Sequence, residues 1–119
     1  MPESHALSPA ADSHLRAPDS ARLAEATGVF AMLADATRLH LLWLIAQGES
    51  DVGSLAERCG ASRTAVSQHL AKLRLAGLVD TRRAGRHIHY RLSDGHLRRL
   101  VVEALSHADH RVSGRMPHD

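Results

Sequence analysis

Apolar residues recur at helical spacing along the first half of the chain and predict three helices. The first is expected from Ser20, with an apolar face made of Leu23, Ala26, Phe30 and Leu33. The second, Ala36 to Gln47, is apolar nearly all round, so we expect it to be buried at the centre of the domain. The third, Val52 to Cys59, is short. Gly48 and Gly60 follow the second and third helices as stop signals.

The stretch from Ser62 to Leu92 predicts a fourth helix and then a β-hairpin. Ser62 can cap the helix, whose apolar face is made of Val66, Leu70 and Leu73. Two strand-like runs follow, Leu78 to Arg82 and His87 to Leu92, with Arg83-Ala84-Gly85-Arg86 at the hairpin tip. Two short helices joined by a turn with glycine, followed by a hairpin, predict a winged helix-turn-helix. The fold class is therefore mainly α with a small β-hairpin.

A last helix is predicted from Ser93 or Asp94 to about His110. Its apolar stripe is wide for a terminal helix and indicates a partner surface: Leu97, Leu100, Val101, Ala104, Leu105 and Ala108. With 119 residues and only three aromatic side chains, the chain is expected to form one domain with a thin core, which dimerisation would stabilise. The predicted boundaries are a disordered arm at 1–18, a DNA-binding and dimerisation domain at 19–111, and a flexible tail at 112–119.

Positive charge is concentrated between Ser62 and Leu92. This segment holds seven basic residues and one acidic residue, a formal charge of +6, whereas the whole chain carries +2. A phosphate backbone attracts such a cluster, although a solvated hairpin without a partner is the alternative. We expect double-stranded DNA to be read at base edges by Arg63, Thr64, Ser67 and Gln68. We expect its phosphates to be contacted by Lys72, Arg82, Arg83 and Arg86.

Composition excludes several other classes of protein. Cys59 is the only cysteine, which rules out an internal disulfide and a cysteine-based zinc finger. No apolar run approaches the ~20 residues that span a bilayer, and no signal segment is evident, so a soluble cytoplasmic protein with no membrane partner is expected. No Ser-His-Asp or Cys-His arrangement is recognisable. An enzyme is therefore not expected.

Histidines on the last helix have a spacing that a single helix cannot close onto one metal ion. His96 and His107 lie within about 20° of each other around the helix axis but about 16 Å apart along it. Two such helices, antiparallel across a twofold axis, would bring Asp94 and His96 of one subunit to His107 and His110 of the other. Each residue alone could instead cap the helix, interact with its dipole or face solvent. Together they predict two equivalent metal sites per dimer.

The donor set restricts the metal without choosing it. One carboxylate oxygen and three imidazole nitrogens suit tetrahedral zinc or cobalt, whereas nickel prefers more ligands. His5, His14 or His118 could supply additional ligands for nickel. His87 and His89, on one face of the second strand, are a weaker metal candidate, and a DNA-facing or solvent role is favoured for them.

The chain resembles the ArsR/SmtB family of metal-sensing winged-helix repressors over about residues 20–110. The matching motifs are Ala36-Thr37-Arg38-Leu39, Ala65-Val66-Ser67-Gln68-His69-Leu70, Ala84-Gly85-Arg86, and Asp94-x-His96 followed by His107-x-x-His110. The resemblance implies a homodimer with metal between its last helices. Unlike family members that bind metal through cysteines near the third helix, this chain has Glu49-Ser50-Asp51-Val52 there. Sensing of arsenite, cadmium or lead by that route is not expected.

By this resemblance, the metal-free dimer binds operator DNA and metal lowers its DNA affinity, which would derepress a metal efflux or homeostasis gene. The alternatives are a metal-independent dimeric regulator, a metal-dependent activator and a metal-storage protein. The concentration of positive charge between Ser62 and Leu92 argues against metal storage.

Overall fold

The computed structural model describes residues 16–115. Its elements are α1 Ser20–Leu33, α2 Ala36–Gln47, α3 Val52–Cys59, α4 Arg63–Leu75, β1 Val79–Ala84, β2 His87–Leu92 and α5 Gly95–Arg115. The two strands form an antiparallel sheet in which Val79 pairs with Leu92 and Ala84 with His87. Most of the predicted arm and part of the predicted tail lie outside the described residues, as do His5, His14 and His118.

Every helix begins at a short polar side chain that accepts a hydrogen bond from a backbone N–H group of its first turn. The capping residues are Asp19, Asp35, Asp51, Ser62 and Asp94, and the N–H donors lie 2.8–3.1 Å away. Such caps satisfy donors that have no partner inside the helix. The four aspartates also place negative charge at the positive end of the helix dipole.

Arg38 joins the first two helices. Its Nε donates to the carbonyl oxygen of Met32 at 2.8 Å, near the end of α1, while its own backbone N–H is held by Asp35 at the start of α2. One residue therefore stabilises the C-terminal end of α1 and the N-terminal end of α2, on either side of a 96° bend. This contact gives a structural reason for the Ala36-Thr37-Arg38 motif.

Helix α2 lies at the centre of the domain, as its apolar pattern predicts. It contacts every other helix and strand β2. The largest fully buried side chains come from all around it and are Leu41, Leu42, Leu55, Val66, Leu70, Leu73, Val79 and Val101. No aromatic ring is among these side chains, so the core is built from close-packed aliphatic groups.

The hairpin tip is shorter than the sequence predicted. Strand β1 continues to Ala84 instead of ending at Arg82, because Ala84 still pairs with His87 across the hairpin. The turn therefore consists of Gly85 and Arg86 alone. Gly85 has a φ of 64°, a conformation that costs glycine little and other residues more, and glycine is favoured at the first position of such two-residue turns.

Two other expectations need correction. Helix α5 does not end near His110 but continues to Arg115, because neither glycine nor proline follows in the next three positions and Val112 extends the apolar spacing. The predicted apolar face of α1 is buried only at Leu33. Leu23 is 52% exposed and Phe30 is 56% exposed, because none of the elements within residues 16–115 covers them.

No single helix within residues 16–115 is both long and apolar enough to cross a membrane. The pair α1 and α2 reaches that length and composition only when the two bent helices are taken together.

Candidate nucleic-acid interface and metal-ligating residues

A tight turn fixes the direction of α4 relative to α3. Gly60 adopts a left-handed conformation, and its N–H and that of Ala61 both donate to the carbonyl oxygen of Ala56, at 3.0 and 3.2 Å. This pattern closes the C-terminal end of α3. Ser62 follows at once as the cap of α4. The two helices are thus joined by three residues, with little freedom between them.

The buried face of α4 determines which of its side chains reach solvent. Val66, Leu70 and Leu73 are fully buried in the core. The residues predicted to meet DNA from this helix are all exposed: Arg63, Thr64, Ser67, Gln68 and Lys72. They form a polar surface on the side of α4 that faces away from α2, as a recognition helix requires.

Arg63 reaches back towards α3. A Cβ atom built on Gly53 would lie 2.6 Å from Nη2 of Arg63, so the guanidinium occupies the space beside this glycine. A polar cavity of about 490 Å³ adjoins it, lined among others by Asp51, Ser54 and Glu57. In this conformation Arg63 lies at the junction of α3 and α4.

The wing, residues 79–92, carries three arginines that are predicted to contact phosphates, and they lie in two different environments. Arg83 and Arg86 are exposed at the tip and have no carboxylate partner among residues 16–115. Arg82 instead forms an ion pair with Glu49, with its Nη2 2.8 Å and its Nε 2.9 Å from Oε1. The sequence analysis did not predict this pair.

The segment before α3 packs along the edge of the wing. The backbone of Ser50 exchanges hydrogen bonds with Tyr90, at 2.8 and 3.3 Å, so that it forms an isolated bridge beside β2. Asp51 then accepts a contact from His87, whose Nδ1 lies 3.1 Å from Oδ2. The polar run Glu49-Ser50-Asp51 has no strand-like pattern of its own, which is why the sequence analysis missed this pairing.

Two capping carboxylates have lowered pKa values. The backbone N–H of Arg38 holds the pKa of Asp35 below its usual 3.8, and the positive charge of Arg38 adds to this effect. The backbone N–H and hydroxyl of Ser54 lower the pKa of Asp51 from the same value, with smaller contributions from His87 and His89. Both carboxylates therefore favour the ionised form.

The four predicted metal ligands are all exposed on α5 or at its start. Asp94 accepts the N–H of Leu97 at 2.8 Å through Oδ1, which confirms that it caps the helix. His96 Nδ1 lies 2.8 Å from Nη2 of Arg99. His107 and His110 lie about one to two turns from the C-terminal end of the same continuous helix.

One chain does not gather these ligands. Within residues 16–115, no group of three or more His, Cys, Asp or Glu side chains is close enough to hold a metal ion. This finding applies also to the weaker candidate, His87 and His89. The pairs Asp94/His96 and His107/His110 remain at two ends of α5, and their oxygen and nitrogen donors suit zinc or cobalt only if a second chain supplies half of them.

Apolar surface remains uncovered on the α1 and α5 side of the domain. Leu23, Phe30 and Val112 are each more than half exposed. A groove of about 640 Å³ also runs between α2 and α5, and its apolar lining includes Leu39, Trp43, Val102 and Leu105. Such a surface is unusual for a protein that remains a monomer.

Comparison with known proteins identifies the family. The family model described as bacterial regulatory protein, arsR family, matches residues 35–81. The HTH-type transcriptional regulator KmtR of Mycobacterium tuberculosis is 54% identical over 86 residues, which cover 72% of this chain and 66% of KmtR, just under two thirds. The regulator NmtR of the same organism is 40% identical over 92 residues, 77% of each chain. The chain belongs to the ArsR family.

A solved structure confirms the fold of this ArsR-family chain. It is the homodimeric winged helix-turn-helix DNA-binding domain of a Mycobacterium bovis protein described as a possible ArsR-family transcriptional regulator. It matches with a TM-score of 0.73 and 32% identity, over 87% of this chain and 98% of that one. The predicted fold class and family resemblance are confirmed. As an ArsR-family member, the chain is a transcriptional regulator and not an enzyme.

Proposed function

We propose that the chain acts as a homodimeric, metal-responsive transcriptional regulator whose affinity for operator DNA changes when a divalent metal binds between the last helices of two subunits. The observation that carries the proposal is the placement of two donor pairs, Asp94/His96 and His107/His110, on one continuous exposed helix. They are too far apart to share an ion within a chain and complementary across an antiparallel pair.

The uncovered apolar surface supports the dimer. Helix α5 packs within the chain mainly against α2 and β2, which leaves its outer face open. Leu23 and Phe30 on α1 provide further exposed apolar surface. A second copy of the chain would bury these side chains and stabilise a core that is otherwise small for its length.

The exposed polar face of α4 and the tip of the wing support DNA binding. In a symmetric dimer the two recognition helices would enter successive major grooves, about 34–36 Å apart, and each wing would lie along the backbone. Arg83 and Arg86 would then contact phosphates, while Ser67 and Gln68 would reach base edges.

Buried contacts support coupling between the proposed metal site on α5 and the proposed DNA-binding surface on α4. Leu97 and Val101 anchor α5 in the core, and Arg98 Nε donates to the carbonyl oxygen of Ala46 in α2 at 3.1 Å. Because α2 also packs against α3 and α4, these helices form one rigid unit. A bound metal would join the donor pairs of two α5 helices. A change in the angle between the helices would then move the two recognition helices relative to each other, with a coupling free energy of about 1–3 kcal/mol.

Within this proposal the effector is zinc, nickel or cobalt, and the response is derepression of a metal efflux or homeostasis gene. A metal-independent regulator is the second candidate. The cap made by Asp94 and the contact between Arg99 and His96 favour it, since each gives a predicted ligand a structural role that needs no metal.

Mixed dimers test the inter-subunit site. One chain carries Asp94→Ser and His96→Ala, and the other carries His107→Ala and His110→Ala; serine retains the helix cap. Each variant alone should lose tight Co²⁺ binding, and the mixed dimer should regain one site, measured by cobalt absorption and titration. Failure of the mixture to regain a site would exclude an inter-subunit centre built from these residues.

A further inference from the structure

The Glu49–Arg82 ion pair points to a role for Glu49 in DNA binding. We propose that Glu49 limits the sequence-independent DNA affinity of this protein by withholding Arg82 from the phosphate backbone. The proposal rests on the proposed function, because it requires that the chain bind DNA.

The backbone places Glu49 on the outer face of the wing. Ser50 pairs with Tyr90 through two hydrogen bonds and is buried, with 9% of its surface exposed. Because successive side chains of an extended segment point to opposite faces, Glu49 and Asp51 lie on the face away from the core. Arg82, which pairs with His89 in the sheet, reaches Glu49 on that face.

The carboxylate of Glu49 offsets the positive charge that Arg82 would otherwise present to a phosphate. Oε1 of Glu49 accepts from both Nε and Nη2 of the guanidinium, at 2.9 and 2.8 Å. A phosphate that approached Arg82 would also approach the carboxylate, which repels it. The Nδ1 atom of His87 likewise lies 3.1 Å from Oδ2 of Asp51. The arginines of the wing without a carboxylate partner among residues 16–115 are then Arg83 and Arg86, near the tip, and Arg91 on β2.

The Glu49–Arg82 pair contributes little to the free energy of unfolding. Both side chains are partly exposed, 49% for Arg82 and 35% for Glu49, and solvent screens such pairs strongly. Its larger effect is on ligand binding, since each phosphate contact made by a basic side chain strengthens DNA binding and steepens its dependence on salt. Phosphate contacts carry no sequence information, so operator and random DNA should be affected by the same factor.

A double-mutant cycle tests the proposal on full-length, metal-free protein. The variants are Glu49→Gln, Arg82→Ala and the two combined, with Glu25→Gln on α1 as a charge-matched control and thermal melts to verify folding. Binding to a fluorescent random-sequence duplex is followed by anisotropy between about 50 and 200 mM salt, the range over which one contact changes affinity about 3.5-fold. This assay needs no knowledge of the operator.

We expect Glu49→Gln to bind the random duplex more tightly and to steepen the slope of log affinity against log salt by about 0.9. Its advantage over wild type should be about 3.5-fold larger at the low end of the salt range than at the high end. Arg82→Ala should keep the salt slope of wild type, because no phosphate contact is lost, and the combined variant should have the same slope. Glu25→Gln should leave the slope unchanged.

Three outcomes would overturn the inference while leaving DNA binding intact. In the first, Glu49→Gln weakens binding or leaves the salt slope unchanged. In the second, Glu49→Gln strengthens binding equally in the Arg82→Ala background, which would show a general charge effect. In the third, Arg82→Ala alone lowers the slope, which would show that Arg82 already contacts a phosphate. Absence of duplex binding by wild type throughout the salt range would instead overturn the proposed function.

Discussion

The guanidinium group of Arg63 lies in the space that a side chain at position 53 would occupy, with Nη2 2.6 Å from the position of a Cβ atom on Gly53. The first residue of the recognition helix therefore rests against the second residue of the preceding helix. Only glycine leaves room for this arrangement. The contact gives Gly53 a role in setting the direction of a side chain that we predict to contact DNA.

Gly53→Ala should move Arg63 without damaging the fold. The clashing group is the far end of a flexible side chain, and alanine is favoured over glycine in a helix, so the free energy of unfolding should stay level or rise by up to about 1 kcal/mol. DNA affinity should fall, by less than the ~1–3 kcal/mol expected for Arg63→Ala. Melts and anisotropy measure the two effects. Gly28→Ala, where a Cβ meets nothing within 4 Å, is the matched control.

Gln68→Ala and Arg86→Ala should weaken DNA binding in different ways. Gln68 lies on the exposed face of α4, so its loss should relax sequence preference at one or two base pairs. Arg86 lies at the hairpin turn, so its loss should weaken all sequences alike and reduce the salt slope by about 1. Selection from a random pool and salt titrations distinguish these effects. Equal loss of preference in both variants would contradict the division of roles.

Asp94→Ser should separate the two roles of Asp94. Serine caps a helix about as well as aspartate, so the melting temperature should change little. The carboxylate ligand is lost, however, and metal affinity should fall if the proposed site is correct. Calorimetric titration with Zn²⁺ measures this effect, with Asp94→Ala as a variant that loses both the cap and the ligand. Unchanged affinity in Asp94→Ser would assign Asp94 to the cap alone.

Acid should destabilise the protein partly through Asp35 and Asp51. Their pKa values are lowered in the folded chain, so their ionised forms contribute stability above the usual value of 3.8, and this contribution is lost as the pH falls through the lower folded pKa. Asparagine keeps the caps but does not titrate. The variant with both Asp35→Asn and Asp51→Asn should therefore lose less stability than wild type in urea melts between about pH 5 and pH 2. Parallel curves for the two proteins would contradict this assignment.

The helices were predictable because each has local signals. Asp35 caps α2, Ser62 caps α4 and Gly60 ends α3, and each was recognisable from its residue type and position. The errors arose where local signals are weak. After His110, Val112 is the one residue that continues the apolar spacing of α5 before the helix ends at Arg115. Strand β1 reaches Ala84 only because Ala84 pairs with His87 on the other strand.

The contacts of the candidate site were less predictable than its residues. The sequence identified Arg82 and Arg63 as basic residues near DNA, but their partners, Glu49 and Gly53, lie 33 and 10 positions earlier in the chain. Such contacts depend on how the wing and α3 pack, which no local pattern encodes. The exposure of Leu23 and Phe30 has the same origin, because it depends on which elements pack against α1 and not on the apolar spacing of α1 itself.

Metal binding at α5 is proposed to change DNA affinity, and fluorescence anisotropy measures this coupling. Anisotropy of a selected operator duplex is recorded without metal and then with Zn²⁺, Ni²⁺ or Co²⁺, for wild type and His107→Ala. At least one ion should weaken binding by wild type by about 5- to 150-fold and leave His107→Ala unaffected. Tight binding that no ion changes in either protein would contradict this coupling and leave a metal-independent regulator.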